Sequence, residues 1–501
     1  MQNLDKAFLG HPKPLFSLSM TELWERFSFY GIRPLLVLFM AASVSMGGLN
    51  ISKEEAAAIA GIFGGCLYLA ALPGGWLADN YLGQKKAIFI GSIIIAFGHL
   101  SIALSIFNSV MFFIGLALIV IGTGLFKTCA SVMVGMLYTQ EDPRRDSGFT
   151  IFYMGINLGA FIAPLICGFL QVKYGWHIGF GAGGIGMLIA LLIFYFKTIP
   201  DLVDFDKNVG IKYPWDKPIK YHKNILWVIV IAAVVLIALS FLLFGGFVKL
   251  NPIVIAKNMI FIILFYAGIY FLYLFFFSSL NNTEKKKLLV FIILFFSAAV
   301  FWSVFEQQYT SFNFFADSLT NRNILGFEIP TVWFQSINAL FIIIFAPIIA
   351  FIWTILARMN FEVSSIIKFT LGLIGAALGF FVMVLASKSV INSNDLASPL
   401  WLILSFFFMT LGELCLSPVG LSLMTKIAPN LIKAQVMGLW FVSLSLGNII
   451  AGLIGGEAIK NEAGALVDLF SQCIWILLGM ALILFIFKNK INKMIHIKDI
   501  K

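Results

Sequence analysis

Charge is scarce in this chain, and that scarcity decides its class before any motif is read. Only 12% of its 501 residues are charged, while 60% are hydrophobic. A soluble domain needs roughly 25% charged residues to cover its surface. A chain this long and this apolar is expected to be solvated by lipid. Cysteine is scarce as well. Cys66, Cys129, Cys167, Cys415 and Cys473 all lie inside apolar stretches with no paired or ligand spacing. They read as packing residues rather than as disulfides or metal ligands. The five histidines are scattered, so no metal site is expected. No small-residue cleavage site follows the first apolar run, so no cleavable signal peptide is expected. A net charge of +10 suggests nucleic acid, but Lys and Arg sit in short loops between apolar runs. That is the positive-inside pattern of a membrane protein, and no nucleic-acid partner is expected.

What the chain does have is long apolar runs, about fourteen of them, each near the roughly 20 residues that span a bilayer. Each must be helical, because backbone groups in lipid find no water to bond. The longest polar stretch, 198–223, leaves six runs before it and eight after. The grouping expected is six plus two plus six. An N-terminal tail over 1–16 precedes a six-helix bundle over 17–197, and a linker follows over 198–222. Two inserted helices come next over 223–279, then a second six-helix bundle over 287–488 and a tail over 489–501. Matched halves are typical of secondary transporters. Roughly 24 of the Lys and Arg fall on the side of the termini and roughly 7 on the other, so both termini are predicted to be cytoplasmic.

A charge at mid-bilayer costs at least about 2.5–3.5 kcal/mol, so those retained there have a use or a partner. The set is Glu22, Glu25, Arg26 and Arg33 in the first helix, Lys127 in the fourth, Glu306 in the ninth and Glu413 in the twelfth. Glu22, Arg26, Tyr30 and Arg33 share one helical face. A polar stripe on a membrane helix points to an interior or a water-filled path. By depth along their helices, Arg33 matches Glu306 toward the outside and Lys127 matches Glu413 toward the inside. Each pair is expected either to act as a gate or to be a static salt bridge. His99, also within a helix, reads as a satisfied packing histidine.

Residues 22–31, ELWERFSFYG, resemble the ExxERFxYYG motif of the proton-dependent oligopeptide transporter family of the major facilitator superfamily. FYMGINLG over 152–159 is similar to that family's FYxxINxG signature. FWSVFEQQ over 301–308 and GELCLSP over 412–418 continue the likeness. GWLADNYLGQKK over 75–86 is similar to the superfamily's loop between helices 2 and 3. There Asp79 is expected to latch one state. The resemblance implies a major facilitator fold with two extra helices. It also implies a proton-coupled symporter of di- and tripeptides, working as a monomer in the bacterial inner membrane with no cofactor but the coupling proton.

A zwitterionic peptide needs an anion site at one end and a cation site at the other. Arg26 and Lys127 are expected to hold the carboxylate with Tyr30, and Glu413 the ammonium with Asn157. The family's binding positions also map onto Arg33, Tyr68, Trp302, Asn338, Ser417 and Trp440. Glu22, Glu25, Arg26 and Glu306 are expected to carry proton coupling. Phe29 replaces a family tyrosine, Thr128 and Cys129 replace the usual proline and asparagine, and Tyr309 replaces a small residue. These departures bear on the range of peptides accepted. The alternative within transporters is another small solute on the same fold, such as nitrate or an amino acid. An enzyme is disfavoured by the lack of a nucleophile elbow or HExxH motif. A receptor or channel fits two matched halves poorly.

Overall fold

A computed structural model describes residues 4–139, 142–209, 251–324, 326–361, 363–429, 435–457 and 462–495, with six isolated positions between 210 and 250. It is almost wholly helical. Its only strands among the described residues form a two-stranded antiparallel hairpin, Asn323–Ile324 with Phe327–Glu328. Twelve described helices are long and apolar enough to cross a membrane. Helix α1 (Pro14–Ala41) is a thirteenth of similar length, and the four charges of its polar stripe set it apart. The expected seventh run, 223–248, lies almost entirely outside the described residues.

The chain divides into two compact units. The first comprises residues 1–50 and 66–250, and the second 51–65 and 251–501. In the first unit α1 packs on α5 (Arg145–Tyr174) and on α6 (Trp176–Ile193). Helix α3 (Gln84–Ala103) packs on α6 and on α4 (Val110–Met136). The α3–α4 seam is made close by glycine. A Cβ at Gly91 would lie 2.7 Å from the Gly122 carbonyl oxygen, and one at Gly98 would lie 2.9 Å from that of Gly115. The glycines stand seven residues apart on each helix, so both crossings fall on one face.

The second unit repeats this order by itself. Helix α9 (Asn282–Phe305) packs on α14 (Val436–Glu457) and α15 (Glu462–Ile495). Helix α12 (Ser365–Ser393) packs on α15 and on α13 (Leu400–Ile427). Again glycine makes the seam, with Gly375 and Gly379 on one helix and Gly412 on the other. Helix α8 (Pro252–Phe276), one of the expected inserted pair, lies against α14. It buries only Ala256, Ala267, Phe271 and Leu274.

In four places the helices run otherwise than the apolar runs alone indicate. The linker expected over 198–222 begins as helix. A π-helical turn, Phe194–Thr198, runs into α7 (Ile199–Val209), which buries Leu202 and Phe205. The tail expected from 489 is helical as far as Ile495. The loop expected near Asp79 is a π-helical turn, Ala78–Leu82, and the chain reverses at Gly83, whose φ of +77° suits glycine. The ninth run, expected as one helix over 287–316, breaks where its charge sits. Glu306 opens a 3-10 turn to Tyr309, and helix resumes as α10 (Ser311–Ser318).

Candidate functional site

In the first unit the polar stripe of α1 is buried and tightly paired. Arg26 Nε lies 2.8 Å from Glu22 Oε1 and 2.9 Å from Glu25 Oε2. The three side chains are each no more than 6% exposed. Both carboxylates therefore stand at ion-pair distance from one nitrogen of one guanidinium, which donates its hydrogen bond to Glu22. Glu22 Oε2 has no hydrogen-bond partner among the described residues. Helical spacing explains the convergence, since positions i and i+4 meet on one face and the adjacent residue 25 reaches in from its edge.

The neighbouring cations are held by aromatic faces. Lys127 Nζ lies 3.9 Å from the centre of the Tyr68 ring. The Arg33 and Arg26 guanidiniums stand 5.5 and 6.0 Å from the Phe29 ring centre. Phe29 thus loses the hydroxyl of the family tyrosine but keeps the ring face that a cation uses. Tyr30 is half-buried on the same helix. Asn157 is buried, and its amide donates to the Tyr153 carbonyl at 2.9 Å, one turn back on its own helix. Asp79 is exposed and accepts from Gln84 Nε2 at 2.6 Å, across the turn.

The second unit holds its own polar centre. Asn338, on α11 (Gln335–Arg358), donates from Nδ2 to Glu413 Oε2 at 3.1 Å and to Thr410 Oγ1 at 3.0 Å. Trp440 is buried against α13, where a Cβ on Gly420 would come within 2.9 Å of its ring. Trp302 is buried in an edge-to-face pair with Phe305, and its indole N–H has no partner among the described residues. Ser417 is half-buried, one turn from Glu413. Glu306 is 5% exposed at the helix break.

Sequence reasoning missed what surrounds that break. Gln307 Nε2 reaches Cys473 Sγ at 3.2 Å, and Ser311 Oγ donates to Gln307 Oε1 at 3.0 Å. Gln335 Nε2 donates to the Gln308 carbonyl at 2.6 Å and to Asn313 Oδ1 at 2.9 Å. The amide takes a carbonyl that an unbroken helix would have bonded itself. Adjacent glutamines inside an apolar run were the available signal.

A second missed feature is a clasp on the N-terminal segment. Arg144 Nη2 pairs with Asp5 at 3.1 Å and with Asp142 at 2.8 Å, and Nη1 bonds the Asp5 and Gly10 carbonyls. The guanidinium beside Asp142 holds that carboxyl below its ordinary value. Tyr138, pushed up to about 12 by burial, meets His11 Nδ1 at 2.8 Å. Lys13 pairs with buried Asp201 at 2.8 Å.

Comparison with known proteins agrees with these features. A family profile described as "POT family" matches residues 85–462. The peptide transporter YePEPT of Yersinia enterocolitica is 53% identical over 93% of this chain and 92% of its own length. A di-/tripeptide transporter of Lactococcus lactis is 36% identical over 90% of this chain and 91% of its own. A POT family transporter solved in complex with 5-aminolevulinic acid superimposes with a TM-score of 0.84 at 31% identity, covering 97% of this chain and 98% of that one. The chain is therefore a multi-pass membrane protein of the POT family, a family of transporters rather than enzymes, with the major facilitator fold that its motifs resemble.

Proposed function

We propose that this protein imports di- and tripeptides across a bacterial inner membrane in symport with protons, as a monomer with both termini in the cytoplasm. The observation that carries the reading is the buried Glu22–Arg26–Glu25 cluster. One guanidinium balances two carboxylates, so one negative charge is left over. A proton can settle on either acid while the other keeps the arginine. A peptide carboxylate that draws Arg26 away removes its partner from both acids, and proton uptake then relieves the repulsion between them. Binding and protonation are in this way coupled through one cation. Lys127 on the Tyr68 ring adds a second positive charge for the peptide's carboxylate end. Glu413, steadied by Asn338, suits its ammonium end. The family names of the relatives support the same substrate class.

The gating roles of Arg33 with Glu306 and of Lys127 with Glu413 are part of the proposal, on the sequence grounds given above. So are the latch role of Asp79 and the pocket roles of Tyr30, Asn157, Trp302, Ser417 and Trp440. No cofactor is needed beyond the coupling proton.

The test is counterflow of labelled dialanine in proteoliposomes, with and without an inward proton gradient. Dialanine and trialanine should compete while free alanine does not, because one amino acid is too short to meet both ends. Equal inhibition by alanine and dialanine rejects the two-ended reading. The relative bound to 5-aminolevulinic acid favours a second reading, a small amino-acid-like solute as cargo. Competition by 5-aminolevulinic acid with none by dialanine would establish that reading instead.

A further inference from the structure

Two apolar hollows flank the second half of α3, both within the first unit. One, of about 610 Å³, is lined by α3, the end of α5 and most of the length of α6, including Phe97, Leu100, Leu170, Gly181 and Ile185. The other, of about 430 Å³, runs toward Met111 and Leu118 on α4 and shares Phe97 and Leu100 with the first. Those two side chains are 59% and 52% exposed within a span built to cross the membrane. The hollows therefore open on hydrocarbon, where acyl chains rather than water are the solvent. Two hollows on either side of one ridge suit a molecule with two chains.

Three further features narrow the occupant. His99 lines the larger hollow and is 2% exposed. Its Nε2 lies 2.5 Å from Ser28 Oγ, while Nδ1 has no partner among the described residues. A polar atom left unpaired in apolar surroundings is costly, so the expectation of a satisfied packing histidine does not hold. His99 is four residues, about 6 Å, from the end of α3, within reach of a lipid's ester layer. Lys173 follows Leu170 by one helical turn at this same end, exposed, its Nζ 5.2 Å from the Tyr174 ring centre. Glycine keeps the hollow open, since a Cβ at Gly181 would meet nothing within 4 Å.

We propose that this face is a binding site for one two-chained anionic phospholipid. Its chains straddle the Phe97–Leu100 ridge, an ester carbonyl accepts from His99 Nδ1–H, and its headgroup pairs with Lys173. Ser28 then donates to His99 Nε2, which fixes the tautomer. Ser28 lies two residues beyond Arg26 on α1, so the lipid bears on the helix that carries the buried acids. The proposal does not rest on the peptide reading.

Native mass spectrometry of the purified full chain, titrated with phosphatidylglycerol or phosphatidylethanolamine, tests it. The wild type should take one lipid, phosphatidylglycerol in preference. Gly181→Trp fills the larger hollow and should weaken both lipids by about tenfold, the loss of about two buried methylenes. Lys173→Gln should weaken phosphatidylglycerol by about fivefold, the worth of one lysine beside an anionic lipid, and leave phosphatidylethanolamine unchanged. His99→Phe keeps the ring and should weaken both. Wild-type affinity in Gly181→Trp overturns the site, and equal binding of the two lipids throughout overturns the anionic headgroup. Should Gly181→Trp prove unstable, a phosphatidylglycerol with a photoreactive acyl chain decides. Crosslinks at Phe97 or Leu100 support the site, and crosslinks only elsewhere overturn it.

Discussion

A buried ion pair is expensive unless each remaining polar atom is answered, and in this protein several are not. Glu22 Oε2 and the Trp302 indole N–H stand without partners among the described residues, both at positions where the family motifs place function. The charged residues themselves were legible in the sequence, because a charge in an apolar run stands out. Their partners were less so. Helical spacing put Glu22 with Arg26 and puts Arg33 over Phe29, but the aromatic seat of Lys127 comes from another helix, which spacing alone does not join. Asn338 was expected in the pocket through the resemblance, and it proves to be the donor that orients Glu413. Asn338→Ala should remove that donor and raise the dialanine KM several-fold, with Glu413→Gln raising it by about tenfold or more, since a bond to a charged group is worth about 1.5–3 kcal/mol. Concentration dependence of counterflow checks both. Unchanged KM in Glu413→Gln would remove it from the ammonium site. Tyr68→Leu, which removes the ring face beneath Lys127, should lose about 0.5–2 kcal/mol of peptide affinity.

Helix existence was readable from composition because lipid allows so few alternatives. Helix interruptions were not, since a break leaves hydropathy unchanged. The turn at Glu306 is visible only once Gln335 from α11 is seen to take the carbonyl it frees. Close helix seams leave a clearer mark in the form of spaced glycines. Gly122→Val would drive a branched side chain into the Gly91 carbonyl and should cost about 1–3 kcal/mol. Gly181→Ala, in open space, should cost little. Thermal unfolding followed by size-exclusion fluorescence separates the two, and equal melting would deny the seam. The N-terminal clasp carries a pH dependence. Asp142 is held below the ordinary carboxylate value by Arg144, so its stabilisation is complete at neutral pH. It fades as pH falls from the unfolded value, near 4, through the depressed folded one. Protection of residues 4–13 from hydrogen exchange, taken relative to the intrinsic rate at each pH, should therefore fall below about pH 4. Arg144→Gln should lose that protection already at pH 7.

On the scale of the whole molecule, one packing order occurs twice in the chain. Helix α1 meets α5 and α6 in the first unit as α9 meets α14 and α15 in the second, and α3 meets α4 through glycine as α12 meets α13. A single long polar stretch interrupts the apolar runs in the sequence, and α7 carries helix into that stretch on two buried apolar anchors, Leu202 and Phe205. The halves carry unlike chemistry on like frames. The first holds the acid–arginine cluster and the second holds Glu413 with Asn338. Net transport must couple the two, and the coupling can be tested apart from binding. Uptake against a peptide gradient needs net proton movement, whereas peptide-for-peptide exchange does not. Glu22→Gln leaves Arg26 paired with Glu25 alone and removes the surplus negative charge. Gradient-driven uptake should then fall to background while exchange stays within a few-fold of wild type. A purely anchoring role for Glu22 predicts that both activities fall together, or that the protein is lost from the membrane. Both assays on one purified preparation decide, with Glu25→Gln run in parallel. If gradient-driven uptake survives in both variants, the proton does not settle on this cluster, and Glu306 becomes the residue to test.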